Sequence, residues 1–278
     1  MGTNLELHEV SGINKIVDRL GGFVTKNEKI ILNGKRYTFP SDLVSVEDHL
    51  IAFDKELGSG VAGTVFSGYD FTTETRVAVK RITMPEEKYK ADWIKGRVIN
   101  QVTATKASRG DVFGPRFSPK GYGFFVMPLA ETSLDKIQWS TLEASKVKGI
   151  IRDILLQLKE FHSKGFIHMD IKMDNILMTK GKAFLADFSE CRVNGVMFQT
   201  FHGKQSDYPQ MPPEVFMGTN IMATPSIDVY SVGFLIACIF RYAPHRTDLL
   251  GLRALSLKMM DPDFQCRPTV DYSLKILG

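Results

Sequence analysis

Cysteine is scarce, with three among 278 residues, and Cys191, Cys238 and Cys266 lie too far apart for a CxxC pair or a Cys/His zinc knuckle. That scarcity also excludes a disulfide framework. The expected setting is a reducing, intracellular one, cytoplasmic or nuclear, in a host cell if the source is viral or a pathogen. Long hydrophobic runs are missing too: the longest, Val229–Phe240, is 12 residues, whereas a bilayer span needs roughly 20. It predicts a buried core helix. The N-terminus lacks a basic stretch followed by an apolar one, and Glu6 stands where a myristoylation signal after Gly2 requires Ser or Thr. A soluble, unanchored chain without a membrane partner is expected. Neither sign of charge dominates: 35 Lys and Arg against 31 Asp and Glu give a net charge of +4, spread along the chain. No basic stripe exists, so nucleic-acid binding is not expected. Repeats and low-complexity tracts are absent as well, which excludes solenoids and propellers. What is there, 44% hydrophobic and 24% charged residues, is ordinary for a globular chain with one large or two modest domains.

Three zones follow. Residues 1–50 read as an N-terminal extension with a short helix, Gly12–Leu20, carrying Ile13, Ile16, Val17 and Leu20 at helical spacing. A hairpin then turns at Asn33-Gly34. Residues 51–127 read as strands interrupted by one helix near Asp92–Lys106, which predicts a small, mostly antiparallel sheet with a helix against it. From residue 128 to 278 helical periodicity dominates, as in Ile150, Ile154, Leu155, Leu158 and Phe161.

Three stretches carry chemistry. In LGSGVAGTVF, Gly58, Gly60 and Gly63 form GxGxxG, with Val65 close behind. Backbone N–H groups can cradle phosphates only where Cβ atoms do not obstruct them. Alone the motif is weak, because glycine-rich turns also occur for structural reasons. Its flanks read strand, turn, strand; a dinucleotide fingerprint needs a helix after the glycines, so a hairpin lid is favoured. In Val77–Lys80 (VAVK) a lysine enters an apolar strand, where its ammonium needs an anion such as a nucleotide phosphate. A snorkelling surface lysine is the bland alternative. In His168–Asn175 (HMDIKMDN) one loop offers a carboxylate, a cation and an amide through Asp170, Lys172 and Asn175, and Asp187 closes a later apolar strand. A solvated loop could share that composition, but not the apolar ILM and LADFSE that follow. Two carboxylates and an Asn suit Mg²⁺ held between oxygen ligands and substrate phosphates.

These motifs resemble the eukaryotic-type protein kinases, Ser/Thr branch, over residues 50 to 278. Met211–Glu214 (MPPE), Asp228–Gly233 (DVYSVG) and Cys266–Thr269 (CRPT) extend the match. The resemblance implies an α+β, bilobal fold with a small antiparallel-sheet N-lobe and a mainly helical, minimal C-lobe. It implies ATP and Mg²⁺, with Mn²⁺ as an alternative metal, and a protein substrate. By the same resemblance Gly58, Gly60 and Gly63 cover the phosphates and Lys80 holds the α and β phosphates. Asn175 and Asp187 bind the metal, Asp170 accepts the hydroxyl proton, and Lys172 steadies the γ-phosphoryl group. Val65, Ala78 and Leu177 enclose the adenine, Met127 is the gatekeeper, and the Pro128 carbonyl and Ala130 amide face the base.

The chain departs from the family pattern at three points. The helix glutamate that pairs with the strand lysine is missing, which leaves Gln101, Asp92 or nothing in its place. Residues 1–50 could supply what that helix lacks, or serve only as a structural cap. Met169 replaces the arginine before the catalytic aspartate, arguing against control by a phosphorylated activation loop and leaving room for a regulatory partner or oligomer. Ser189 takes the glycine position of DFG. Thr200, Ser206 and Thr219 are candidate modification sites, with solvated hydroxyls as the bland reading. The rival to a working enzyme is a catalytically weak pseudokinase that acts as a nucleotide-binding scaffold. A small-molecule kinase is disfavoured, because MPPE and CRPT resemble peptide-binding apparatus.

Overall fold

Period-two patterning turns most of the first half of the chain into strands. The computed structural model describes residues 14–24, 29–38, 43–60, 63–109, 112–118, 121–200 and 203–278. The chain divides into two compact units, Met1–Leu129 and Ala130–Gly278. The first is mainly antiparallel sheet and the second mainly helical, the α+β composition implied by the resemblance.

In the first unit a helical stretch over residues 14–19 (α1) precedes a small antiparallel sheet of β1 (Phe23–Val24), β2 (Lys29–Leu32) and β3 (Lys35–Thr38). Gly12 and Ile13 of the expected helix lie outside the described residues. Asn33 and Gly34 join β2 to β3 with φ of 49° and 75°, the left-handed pair that a type I′ turn requires.

A six-stranded antiparallel sheet follows. Its spatial order is β4 (Leu43–Val46), β5 (His49–Gly60), β6 (Gly63–Asp70), β7 (Thr75–Thr83), β9 (Tyr122–Pro128) and β8 (Phe113–Ser118). Helix α2 (Lys88–Arg109) joins β7 to β8 and is longer than the expected 92–106, since its flanking breakers are Pro85 and Gly110. The boundary expected at residue 50 falls inside β5, and β4 joins the sheet although it belongs to the expected extension. The cause is burial on both faces of β4. Val44 and Val46 pack with Ile51, Val77, Val79, Phe124 and Val126. Leu43 packs with Ile16, Val17, Ile30 and Leu32 on the other side. Edge strand β8 also meets the β4–β5 hairpin: the Gly114 N–H donates to Oε1 of Glu47 in its turn at 2.8 Å, and the ring of His49 on β5 lies 3.8 Å from that of Phe113. The sheet therefore curls toward a barrel.

In the second unit β10 (Thr132–Ser133) leads to α3 (Ala144–Ser163), which buries Val147, Ile150, Ile151, Ile154, Leu155, Leu158 and Phe161 along one face. The chain then forms β11 (Phe166–Ile167), β12 (Ile176–Thr179), β13 (Lys182–Leu185), β14 (Arg192–Val193), β15 (Met197–Gln199) and β16 (Asn220–Met222). Strand β12 pairs with β10 and β13, β11 with β14, and β15 with β16. Helices α4 (Pro225–Tyr242), α5 (Leu250–Met259) and α6 (Val270–Leu277) complete the unit. The apolar run Val229–Phe240 lies in α4 and is largely buried. Among the described residues no helix is long and apolar enough to cross a membrane.

Candidate functional site

The first unit brings several expected residues to one face of the sheet. Register pairs Val65 with Lys80 and Ala78 with Met127, and directly opposed residues project to the same side. Ile82 and Phe125 share that side and pack under Val98 and Val102 of α2. Lys80, 4% exposed, is thus a buried strand lysine on the helix-covered face rather than a snorkelling surface one. Gln101, one residue before Val102, is itself buried on α2. Asp92 is exposed and pairs with Lys95 at 3.6 Å, so it does not take the helix glutamate's place.

The glycines divide by role. Gly58 pairs with Val65 and Gly60 with Gly63 in the β5–β6 hairpin, whose intervening residues 61–62 lie outside the described set. Gly63 has φ of 118°, and a Cβ there would stand 2.5 Å from the Arg81 carbonyl oxygen. The fold demands this glycine. A Cβ on Gly58 or Gly60 would meet nothing within 4 Å, so the fold does not explain those two. Their bareness leaves the backbone open to a close ligand.

In the second unit the loop between β11 and β12 presents a tight polar group. Asp170 Oδ2 receives Asn175 Nδ2 at 2.8 Å and Lys172 Nζ at 3.0 Å, and Asn175 Nδ2 also donates to the Asp170 carbonyl at 2.9 Å. Burial works to lower the Lys172 pKa, but the carboxylates of Asp170, Asp174 and Asp187 together outweigh it and the net direction is upward. The β12–β13 register opposes Ile176 to Leu185, and the Ala186 N–H donates to the Asn175 carbonyl at 2.9 Å, which brings Asp187 beside Asn175. Asp187 holds φ of 52°, a left-handed conformation costing about 1–3 kcal/mol in a non-glycine residue. Leu177 pairs with Phe184 on β13, and Ala130 opens the second unit.

The loop is held from beneath by Asp228 of α4, which is fully buried. The N–H groups of His168 and Met169 donate to it at 2.8 and 2.9 Å, and His162 Nε2 at 2.8 Å. Burial pushes the Asp228 carboxyl up, but these bonds prevail and its pKa falls below the usual value. Met169 has φ of 70° and is buried with Ile167, Met211 and Val215. Where the family pattern has a charged arginine, this chain ties its loop to the segment around Met211 by apolar contact.

Farther along, Glu214 accepts both terminal nitrogens of Arg267, at 2.7 and 2.8 Å, so the MPPE and CRPT motifs form one bidentate pair. Of the candidate modification sites, Thr200 is buried, whereas Ser206 and Thr219 are exposed. Sequence reasoning missed two neighbours of the site. His162 is one; Gln210, whose Nε2 lies 3.5 Å from Asp170 Oδ1, is the other. Nothing in the motif spacing signals either.

The donor set fits a hard divalent cation. With its nitrogen committed to Asp170, Asn175 keeps only Oδ1 for a metal, and Asp187 adds a carboxylate beside it. Two protein oxygens suit Mg²⁺, which keeps waters and phosphate oxygens as its other ligands. Among the described residues no cluster of three His, Cys, Asp or Glu could hold a metal by itself.

Comparison with known proteins supplies an independent finding. Residues 51–250 match the family described as protein kinase domain. The chain is similar to serine/threonine-protein kinase STE20 of Saccharomyces cerevisiae, 28% identical over 209 residues that cover 73% of this chain and 21% of that protein. It is 27% identical to STE20 of Eremothecium gossypii over 84% of this chain and 23% of that protein. It is 30% identical to serine/threonine-protein kinase SMU1 of Mycosarcoma maydis over 73% of this chain and 27% of that protein. The matched regions thus span only about a quarter of these relatives' lengths.

Proposed function

The chain belongs to the protein kinase domain family, and from that premise we propose that it transfers the γ-phosphate of ATP to serine or threonine hydroxyls of a protein substrate. The observation that carries the reading is the Asp170 carboxylate, with Oδ2 saturated by Asn175 and Lys172 and Oδ1 in only a long contact with Gln210 among the described residues. In this reading the hydroxyl oxygen bonds to the γ-phosphorus and the bond from that phosphorus to the β–γ bridging oxygen breaks. The electron pair leaves with ADP, and the hydroxyl proton passes to Asp170. Lys172, on the same carboxylate, supplies positive charge to the transferring group, and its identity favours Ser or Thr over Tyr acceptors by family resemblance. Asn175 Oδ1 and Asp187 would hold Mg²⁺, which neutralises phosphate charge when bound.

Lys80 is the phosphate ligand of the first unit, beneath Gly58, Gly60 and Gly63. Val65, Ala78 and Met127 share its side of the sheet and would meet the adenine. An intracellular, reducing setting belongs to the same proposal, on the scarcity and wide spacing of cysteine in the sequence.

The test is incorporation of labelled phosphate into histone with ATP and Mg²⁺. Asp170→Asn and Lys80→Met are each expected to lower the rate about 10²-fold or more, the scale of losing a positioned base or charge. Equal signal in wild type and both variants overturns the reading. So does an ATP-induced thermal shift without any transfer, the behaviour of a nucleotide-binding scaffold.

A further inference from the structure

The two oxygens of Asp170 are not equivalent. Oδ2 takes Asn175 Nδ2 at 2.8 Å and Lys172 Nζ at 3.0 Å, which fills both of its lone-pair positions. Among the described residues Oδ1 has one contact, Gln210 Nε2 at 3.5 Å, the outer limit of a hydrogen bond. A hydroxyl that gives its proton to this carboxylate must therefore approach Oδ1, on the side where Gln210 stands.

Gln210 has a fixed backbone and a long side chain. Its carbonyl accepts the hydroxyl of Ser231 at 2.8 Å, and Ser231 is fully buried on α4. The next residue, Met211, is buried, and its carbonyl accepts Gln205 Nε2 at 3.2 Å. The carboxamide itself is half-buried and, among the described residues, held only by that long contact. Such a contact is worth little and exchanges easily for a better partner.

We infer that Gln210 is the acceptor-side positioning residue of this site, its amide N–H passing from Asp170 Oδ1 to the oxygen of the incoming hydroxyl. The hydroxyl proton is then aimed at Oδ1, while a second lone pair of the same oxygen stays available for bond formation. The inference rests on the reading of Asp170 given above, and it adds a contact supplied by the segment before MPPE rather than by the catalytic loop.

Initial rates with histone as acceptor test it, with histone and ATP varied separately. Gln210→Leu keeps the bulk and removes the amide; the KM for histone is expected to rise about three- to tenfold, the effect of one neutral hydrogen bond, with the KM for ATP unchanged within about twofold. Gln210→Asn, which keeps an N–H donor, should recover part of that loss. Gln210→Glu, which keeps size and polarity without the donor, should reproduce it, and serves if Gln210→Leu does not fold. An unaltered histone KM in the folded Leu and Glu variants overturns the inference, as does an equal rise in both KM values in all three variants. If wild type transfers no phosphate, the functional reading itself has failed, a result distinct from either.

Discussion

His168 accepts the backbone N–H of Asp170 on its Nδ1 at 3.4 Å, while its Nε2 donates to the Ala186 carbonyl at 3.0 Å. Those two bonds require a neutral imidazole with the proton on Nε2. The ring is fully buried against Phe188, with centroids 4.8 Å apart. One uncharged side chain therefore joins the loop of Asp170 to the strand end that carries Asp187.

This predicts a specific acid sensitivity. Burial lowers the His168 pKa from 6.5, despite the nearby carboxylates of Asp228, Asp170 and Asp187, and the Asp228 pKa lies below 3.8. Both folded-state values are depressed, so the unfolded chain binds more protons as pH falls. Stability is then full above about pH 6.5, declines below it as unfolded histidine titrates, and declines again below about pH 3.8. Thermal midpoints taken from about pH 8 to 5 should show the first decline in wild type and a shallower one in His168→Gln. A flat wild-type profile over that range would contradict it.

Asp228 should be the costliest acidic residue to remove. Asp228→Ala strands the N–H groups of His168 and Met169 and the ring of His162, for a loss of about 3–5 kcal/mol in urea unfolding. Asp228→Asn keeps one accepting oxygen and should lose about half as much. Equal midpoints for wild type and Asp228→Ala would rule out this anchoring role.

The glycines of the hairpin should separate by phenotype. Gly63→Ala forces a left-handed alanine whose Cβ meets the Arg81 carbonyl, and it should destabilise by more than about 1 kcal/mol. Gly58→Ala and Gly60→Ala should leave the melting temperature nearly unchanged and raise the KM for ATP. Finding all three equally unstable would mean that Gly58 and Gly60 are also structural.

Leu32 tests the extension. It is 1% exposed and packs with Ile16, Val17, Ile30, Leu43 and Leu50, so Leu32→Ala should cost about 2–5 kcal/mol. A loss under about 0.5 kcal/mol, the scale of a surface substitution, would show the extension to be a dispensable cap.

Local signals were legible because neighbours in the chain carry them. The Asn33-Gly34 turn follows from what each backbone tolerates, and the buried face of α3 follows from spacing. The match to a kinase family likewise needed no coordinates. Other features were settled by packing between distant segments. β4 entered the sheet because both of its faces found apolar partners, from Ile16 on one side to Val126 on the other. Only tertiary structure separated Gly63 from Gly58 and Gly60, since the obstruction is a carbonyl on the neighbouring strand. Gln210 reaches Asp170 from 40 residues away because Ser231 on α4 holds its backbone there. Dihedral preference and periodicity are properties of adjacent residues, whereas the approach of one side chain to another across a core depends on everything packed between them.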